Sequence, residues 1–595
     1  MYKAPLATAI AEHVWRTHYR WCENGHMQEP SVEATWDRVA LAVSSVEAVH
    51  RNEWRERFRA ILGDFRFLPG GRILAGAGTP RELTLFNCFV TGTLEDSING
   101  IFNALREAML TLQAGAGVGV DFSTLRPAGA AAVRTGSLAS GPVSFMQLWE
   151  RANALLEAGN VRRGAMMASL RCDHPDIEAF LRARTGASAL THFKLTVLLT
   201  DDFMHAVEDD SPWPLVFPLG AHPVPAEAEV CERVWSGSPT PQLCLVHRRI
   251  PARVLWAQLL DAAHTAAAPG VLFIDRINRA NNLWYCEQLS SANPCREVAL
   301  PPHGACNLGS LNLTRFVQHP FGEHPVVDFA GLRAVAAVAT RFLDNVHDLS
   351  PFPLKAQQKA AHATRRIGLG VTGLADMLAM VGLRYGSPAS LELARQIMRV
   401  IRDAAYRTSV DLAEEKGPFA AFDRLRYIAS PFVLGLSHEL QDALALHGTR
   451  NSHLLAIAPT GSISLLANNV SSGIEPVLAL QGHYRCRQAD GQFSLLEVED
   501  DAWRQYRALK GVQALRPAYF VSAAEVGVEE QLRMTEAIQS CVDNGIAKTV
   551  RLPADASPED IGRTLQRAWS LGLKGCAVYR EGSRDHADAQ LPQPN

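Results

Sequence analysis

Asn293-Pro-Cys-Arg-Glu297, followed by Pro301-Pro302 and Cys306-Asn-Leu-Gly-Ser-Leu-Asn-Leu313, is the most informative stretch of this sequence. Pro294 biases Asn293 toward extended geometry and the Pro-Pro pair ends any helix, so Cys295 belongs on a shaped loop with Glu297 pointing to the same side. A carboxylate two residues from a thiol is suited to acid-base work. Taken alone, such a cysteine reads as a small buried hydrophobe. Its neighbours along the chain decide otherwise.

Upstream, Phe86-Asn-Cys-Phe-Val90 reads as a strand that carries Cys88, and by itself this cysteine reads as core. Leu94-Glu-Asp-Ser follows, then Gly115-Ala-Gly-Val-Gly-Val-Asp-Phe-Ser123. Gly115, Gly117 and Gly119 lack the spacing and context of a dinucleotide fingerprint, so close backbone packing explains them better. Downstream, His453-Leu-Leu-Ala-Ile-Ala-Pro-Thr-Gly-Ser-Ile-Ser464 reads as a buried strand running into Pro-Thr-Gly and a hydroxyl-rich helix start. Free N–H groups there favour an anion, and Thr460, Ser462 and Ser464 offer hydroxyl donors. No Walker lysine is present, which rules against a P-loop.

Between these segments, continuous apolar runs such as Leu195 to Leu199 and Leu454 to Ala458 read as strands buried on both faces. They alternate with amphipathic helices, an α/β signature. One helix begins near Asp96 and places Ile98, Ile101, Phe102, Leu105, Met109 and Leu112 on a face expected to pack on a sheet. The first 80 residues look helical, with Trp36, Val39, Ala40, Val43 and Val46 on one face. The segment from Gly582 to Asn595 is polar and reads as disordered.

The composition is that of an ordinary globular chain: 595 residues, 47% apolar, 20% charged, net charge -3. No basic excess points to nucleic acid. Residues 6 to 14 lack a secretory h-region, and the apolar run Val254 to Ile274 is broken by Asp261, His264 and Pro-Gly. Neither export nor a membrane span is expected, and a cytoplasmic location is. The 11 cysteines contain no Cys-x-x-Cys pair, so neither a disulfide framework nor a zinc site is expected.

Taken together these strings resemble the ribonucleotide reductase motifs, in family order from about residue 65 to 584. Asn-Pro-Cys-Arg-Glu resembles the family's Asn-Pro-Cys-Gly-Glu, with Arg296 in place of the glycine. The Asn-Cys-Phe segment resembles the one whose cysteine pairs with that at Cys306. The 459–464 stretch, with Ser471-Ser-Gly-Ile-Glu-Pro476 after it, resembles the loop that binds the substrate diphosphate. Gly159-Asn-Val-Arg-Arg-Gly-Ala165 resembles the specificity loop, with Leu125-Arg-Pro-Ala-Gly129 as its partner.

The resemblance implies a ten-stranded α/β barrel over residues 81–570, a helical region over 1–80 and a C-terminal tail over 571–595. It also implies roles. Cys295 becomes a thiyl that takes and returns a hydrogen atom, Glu297 takes the 3'-OH proton, and Asn293 holds that region by hydrogen bonds. Cys88 and Cys306 protonate the leaving 2'-hydroxyl, supply two electrons and end as a disulfide. Asn87, Ser123, Pro459, Thr460, Gly461, Ser462, Ile463 and Ser464 are implied in substrate binding, and Arg162 and Arg163 in relaying a deoxynucleotide or ATP effector.

Family members that receive their radical from a second protein use adjacent tyrosines near the C-terminus. The comparable site here reads Val578-Tyr579, which favours a radical made in place from adenosylcobalamin. No Asp-x-His-x-x-Gly motif offers a histidine to cobalt. The implied substrates are ribonucleoside diphosphates, the reductant is thioredoxin or another dithiol because the tail carries no cysteine pair, and the assembly is a homodimer. The rival readings are a large subunit that needs a metal-radical partner, and a catalytically silent nucleotide-binding homologue.

Overall fold

Buried β-rich runs dictate the architecture. The computed structural model describes residues 5–23, 26–132, 137–159, 164–185, 189–220, 227–487, 493–583 and 593–594. The apolar runs form strands β1 (Cys88–Val90), β2 (Gly117–Asp121), β3 (Met166–Arg171), β4 (Phe193–Leu199) and β5 (Gly270–Phe273), each parallel to the next. A second group comprises β6 (Ala305–Asn312), β7 (Ile367–Thr372), β8 (Thr549–Leu552) and β9 (Gly575–Arg580). In this group β6 runs parallel to β7, and β8 to β9.

The two groups meet antiparallel twice, β1 on β6 and β5 on β9. The run 454–458 makes single parallel bridges rather than a full ladder: Leu455 to Leu369 of β7, and Ile457 to Ile546 just ahead of β8. These bridges close the ring, so the barrel consists of two five-stranded parallel halves set antiparallel. Closure leaves no barrel edge unpaired. The expected tail boundary at 571 falls short, because Gly575–Arg580 is a barrel strand. The end of the tail, 584–592 and 595, lies outside the described residues.

Alternation along the strands sorts the side chains. Val197 and Val271 pack outward with Phe122, Trp149 and the helices, while Met167, Leu198 and Leu272 pack inward. The helical N-terminal region is present as expected: α1 (Ala9–Val14), α2 (Val32–Ser44) and α3 (Arg51–Leu62) precede the barrel. Trp36, Val39, Ala40 and Val43 form the buried face of α2. A short helix, α4 (Gly71–Gly76), follows the strand Phe67–Pro69, which pairs with β6.

Helix α5 (Ile98–Gln113) is capped by Ser97, whose side chain accepts from the Gly100 N–H, rather than by Asp96. Asp96 instead receives the Arg126 guanidinium at 2.7 Å. The face expected to pack on the sheet is split. Ile101, Ala104, Ala108 and Leu112 are buried, whereas Ile98 and Phe102 are exposed, because the residues that share the buried stripe at helical spacing are the alanines. No helix among the described residues is long and apolar enough to cross a membrane.

Candidate active site

Inside the barrel, Ser291–Ala292 and Ala299–Leu300 pair antiparallel and carry the loop Asn293–Val298 at their tip. This finger approaches β2 so closely that a Cβ at Gly119 would run into the Ala292 carbonyl, and one at Gly117 would lie 3.1 Å from the Pro294 ring. Close packing of the finger is thus the reason for Gly117 and Gly119, whereas at Gly115 it is the Arg72 side chain that fills the space. The loop is held by Arg296 N–H to Asn293 O (2.9 Å), Asn293 N–H to Val298 O (3.0 Å), Val298 N–H to Asn293 Oδ1 (3.1 Å) and Gly545 N–H to Glu297 O (2.8 Å).

Arg296 has φ +68°, a left-handed conformation that favours glycine. Its guanidinium compensates by reaching back to β4, where it donates to Thr196 Oγ1 at 3.3 Å. It lies in a notch over Gly270, where a Cβ would meet it. It thus faces a small cavity of about 20 Å³ behind the loop, shared with His453, Asp543 and Lys574.

On the other side of the loop lies a cavity of about 260 Å³. It brings together Cys88, Asn293, Cys295 and Glu297, with Asn87 and the whole stretch Pro459 to Ile463. Asn293 Nδ2 donates to Cys88 Sγ at 3.1 Å, and the Cys88 thiol lies 3.9 Å from Glu297 Oε1. Cys306, fully buried, is the direct cross-strand partner of Cys88. Their Cα atoms stand at the separation of an antiparallel pair, about 5.5 Å when hydrogen-bonded, within the range a disulfide spans.

Burial sets the protonation states. It pushes the Glu297 carboxyl up to about 7 against the opposing pull of hydrogen bonds, that from Asn293 included, and of Lys194 and Arg296. Burial, with Glu297 beside it, raises the Cys88 thiol well above its ordinary value, and burial raises Cys306 likewise. Both therefore stay protonated near neutrality. Glu297 Oε2, Asn87 Oδ1 and Ser310 Oγ are buried without a hydrogen-bond partner, and all three residues line the cavity. Orphaned buried oxygens call for a polar partner in the cavity, water or ligand.

Sequence reading missed Ser310, whose only signal was its place four residues after Cys306. It also missed Arg72, which lines the cavity from α4. Two expected residues lie elsewhere. Ser123 is fully buried outside the cavity, where its hydroxyl accepts from the Arg171 N–H at 3.0 Å. Ser464 lies beneath the 459–463 loop, its hydroxyl 2.9 Å from Thr460 Oγ1 and 3.0 Å from Thr372 Oγ1.

Thr460 itself has φ +49°, and its hydroxyl accepts from the Gly473 N–H at 2.7 Å, so these hydroxyls tie the loop down. Ser462 alone of the three hydroxyl groups receives a donor from the N-terminal region, Tyr19 Oη at 2.6 Å. Arg162 and Arg163 lie outside the described residues.

Thiols and a near-neutral carboxyl on one cavity, with a cross-strand cysteine pair beside it, define an oxidoreductase that reduces a bound substrate with protein sulfhydryls. Comparison with known proteins gives the family. The family models "Ribonucleotide reductase, all-alpha domain" and "Ribonucleotide reductase, barrel domain" match residues 6–82 and 86–579. A vitamin B12-dependent ribonucleoside-diphosphate reductase of Mycobacterium tuberculosis is 38% identical over 92% of this chain and 75% of its own.

One from Thermoplasma acidophilum is 32% identical over 94% of this chain and 69% of its own. A ribonucleoside-diphosphate reductase subunit alpha of Chlamydia pneumoniae is 24% identical over 91% of this chain and 56% of its own. The chain belongs to the ribonucleotide reductase family.

Proposed function

We propose that the chain reduces ribonucleoside diphosphates to 2'-deoxyribonucleoside diphosphates with a thiyl radical on Cys295, made with adenosylcobalamin. The observation that carries the reading is the single cavity that unites Cys88, Asn293, Cys295 and Glu297, with Cys306 across the strand from Cys88. The relatives named for vitamin B12 support the cofactor.

Adenosylcobalamin, when bound, supplies the radical that removes the hydrogen atom of the Cys295 sulfhydryl. The residues fit that role as its acceptor: Cys295 is partly exposed on the cavity, and β9 carries Val578-Tyr579 in place of a tyrosine pair. The 260 Å³ cavity is sized for a nucleotide and not for a corrin as well, so no cobalamin-holding residues are assigned to it.

Within the cavity, Cys295 abstracts the 3'-hydrogen while Glu297 takes the 3'-OH proton. The 2'-hydroxyl then leaves as water with a proton from the cysteine pair. Two electrons from Cys88 and Cys306 complete the reduction, the two thiols close to a disulfide, and Cys295 returns its hydrogen to C3'. In balance, one ribose hydroxyl and two thiols give one deoxyribose carbon–hydrogen bond, one water and one disulfide. A dithiol reductant must reopen the disulfide between turnovers.

A homodimer that binds a deoxynucleotide or ATP effector completes the reading. It is supported by the exposed apolar residues Ile98 and Phe102 on α5 and Leu155 on α6 (Pro142–Gly159), which packs beside it.

The test is deoxyribonucleotide formation from a ribonucleoside diphosphate by the purified chain with dithiothreitol, with and without adenosylcobalamin, alongside Cys295→Ala. Cobalamin-dependent product that vanishes in Cys295→Ala is expected. Activity only on adding a metal-radical subunit would move the chain to the other class, and silence in both would leave a nucleotide-binding homologue.

A further inference from the structure

Among the described residues that line the active-site cavity, the one acid is Glu297, beside the Cys88 thiol, and the one cation is Arg72. Arg72 comes from α4, outside every segment assigned a role above.

Its guanidinium is held in a slot of the cavity wall. Gly115 has φ +90°, and a Cβ there would run into the Arg72 guanidinium, so the glycine leaves a slot through which Arg72 extends. Gly117, two residues on, touches Pro294 of the thiyl loop and pairs with Cys88. The turn Trp15–Tyr19 packs against α4, and Tyr19 in turn holds Ser462 of the 459–463 loop. The helix that carries Arg72 and that loop thus share a support, and both line the cavity.

A nucleoside diphosphate brings two to three negative charges into a cavity whose only formal anion, Glu297, lies at the ribose end. The 459–463 loop is built of Pro459, Gly461, Ile463 and two hydroxyl residues, which offer dipoles and no full charge. An arginine presents a planar fork that pairs with two phosphate oxygens.

We propose that Arg72 binds the terminal phosphate of the substrate from the Gly115 slot, and so makes the site prefer a ribonucleoside diphosphate to the monophosphate. The inference rests on the nucleotide-reducing reading above and adds to it a residue and a basis for substrate choice.

Calorimetric titration of cytidine diphosphate and cytidine monophosphate into the full chain tests it, with wild type, Arg72→Gln and Arg72→Lys. Loss of one charge-assisted contact should weaken the diphosphate about ten- to a hundredfold in Arg72→Gln, while the monophosphate changes less than about twofold by the same reasoning. Arg72→Lys, which keeps the charge without the fork, should fall between. An unchanged diphosphate affinity, or equal losses for both ligands, would overturn the assignment. Should Arg72→Gln fail to fold, Arg72→Lys carries the same comparison, since a purely structural arginine would not separate the two ligands. Product formation by wild type is read separately: its absence would sink the reductase reading, whereas the titrations decide Arg72 whether or not turnover occurs.

Discussion

Cys88 of β1 and Cys306 of β6 are direct partners across one of the two antiparallel junctions of the barrel. Apart from these two junctions, neighbouring barrel strands run parallel and their opposed residues are offset. The junction therefore supplies a register in which two thiols face each other beside the Cys295 loop. In oxidant-free single turnover without dithiol, the chain should form about one deoxyribonucleotide per site and then carry a Cys88–Cys306 bond. Peptide mapping by mass spectrometry reads that bond as the loss of two hydrogens, and its absence after product formation would exclude this pair as the electron source.

Glu297 ordinarily titrates at 4.5 and is held at about 7 in the fold, chiefly by burial. A folded chain that keeps this proton between those values binds more protons than the unfolded chain, so its stability falls as pH rises through the window and levels above about 7. The shift corresponds to about 3 kcal/mol. Glu297→Gln should therefore gain stability relative to wild type on going from pH 4.5 to pH 8, up to that amount. It should also form no deoxyribonucleotide, while wild-type activity rises with pH through about 7. Chemical denaturation at the two pH values checks this, and a pH-independent difference would contradict it.

Arg296 stands at φ +68° on the Cys295 loop and is held by Thr196 and the Gly270 notch. Arg296→Ala keeps the strained backbone and loses the guanidinium, whereas Arg296→Gly loses both. The glycine variant should be more stable than the alanine variant by about 1 kcal/mol. Gly270→Ala, which displaces the guanidinium, should cost stability in wild type and much less in the Arg296→Gly background. Equal stabilities of the glycine and alanine variants would show that the loop relaxes out of the left-handed region.

The chemistry was legible where it is local. Pro294, Cys295 and Glu297 adjoin in sequence, and the finger holds them as the spacing suggests. What needed the fold was direction. Ser464 and Ser462 are two residues apart, yet one is bonded beneath the loop to Thr372 and the other receives Tyr19. Ser123 turned to a backbone N–H of the neighbouring strand β3. Ser310 sat inside the Cys306–Leu313 string with nothing to single it out, and Arg72 carried no motif at all; the two meet at the cavity because the short strand Phe67–Pro69 lies along β6.

The helical region and the barrel are joined by a buried charge cluster. Arg341, on α7 (Phe329–Leu349), reaches Glu47 at 2.7 Å and Glu415 at 2.6 Å and stacks over Trp54, while Lys416 adds a second cation on Glu47 at 3.1 Å. Glu47 is nearly fully buried. Arg341→Met strands that carboxylate with a single cation and should destabilise the chain by about 3–5 kcal/mol. Glu47→Gln, which keeps a hydrogen-bonding group, should cost less. Thermal unfolding measures both, and a loss below about 1 kcal/mol for Arg341→Met, the scale of a surface pair, would show the cluster to be solvated.

The same region reaches the 459–463 loop through one hydroxyl. Tyr19 is almost completely buried, and its phenol donates to Ser462 Oγ at 2.6 Å. Tyr19→Phe keeps the ring and its packing and removes that bond, worth about 1 kcal/mol. If Ser462 touches phosphate, freeing its hydroxyl should raise KM for a ribonucleoside diphosphate about fivefold, with a smaller change in kcat. In a Ser462→Ala background the Tyr19→Phe substitution should add little, because the bond is already gone. Steady-state kinetics on the four proteins of this cycle decide the matter: additive KM effects would mean that Tyr19 acts on the site by another route, and an unchanged KM in both single variants would take the Ser462 hydroxyl out of substrate binding.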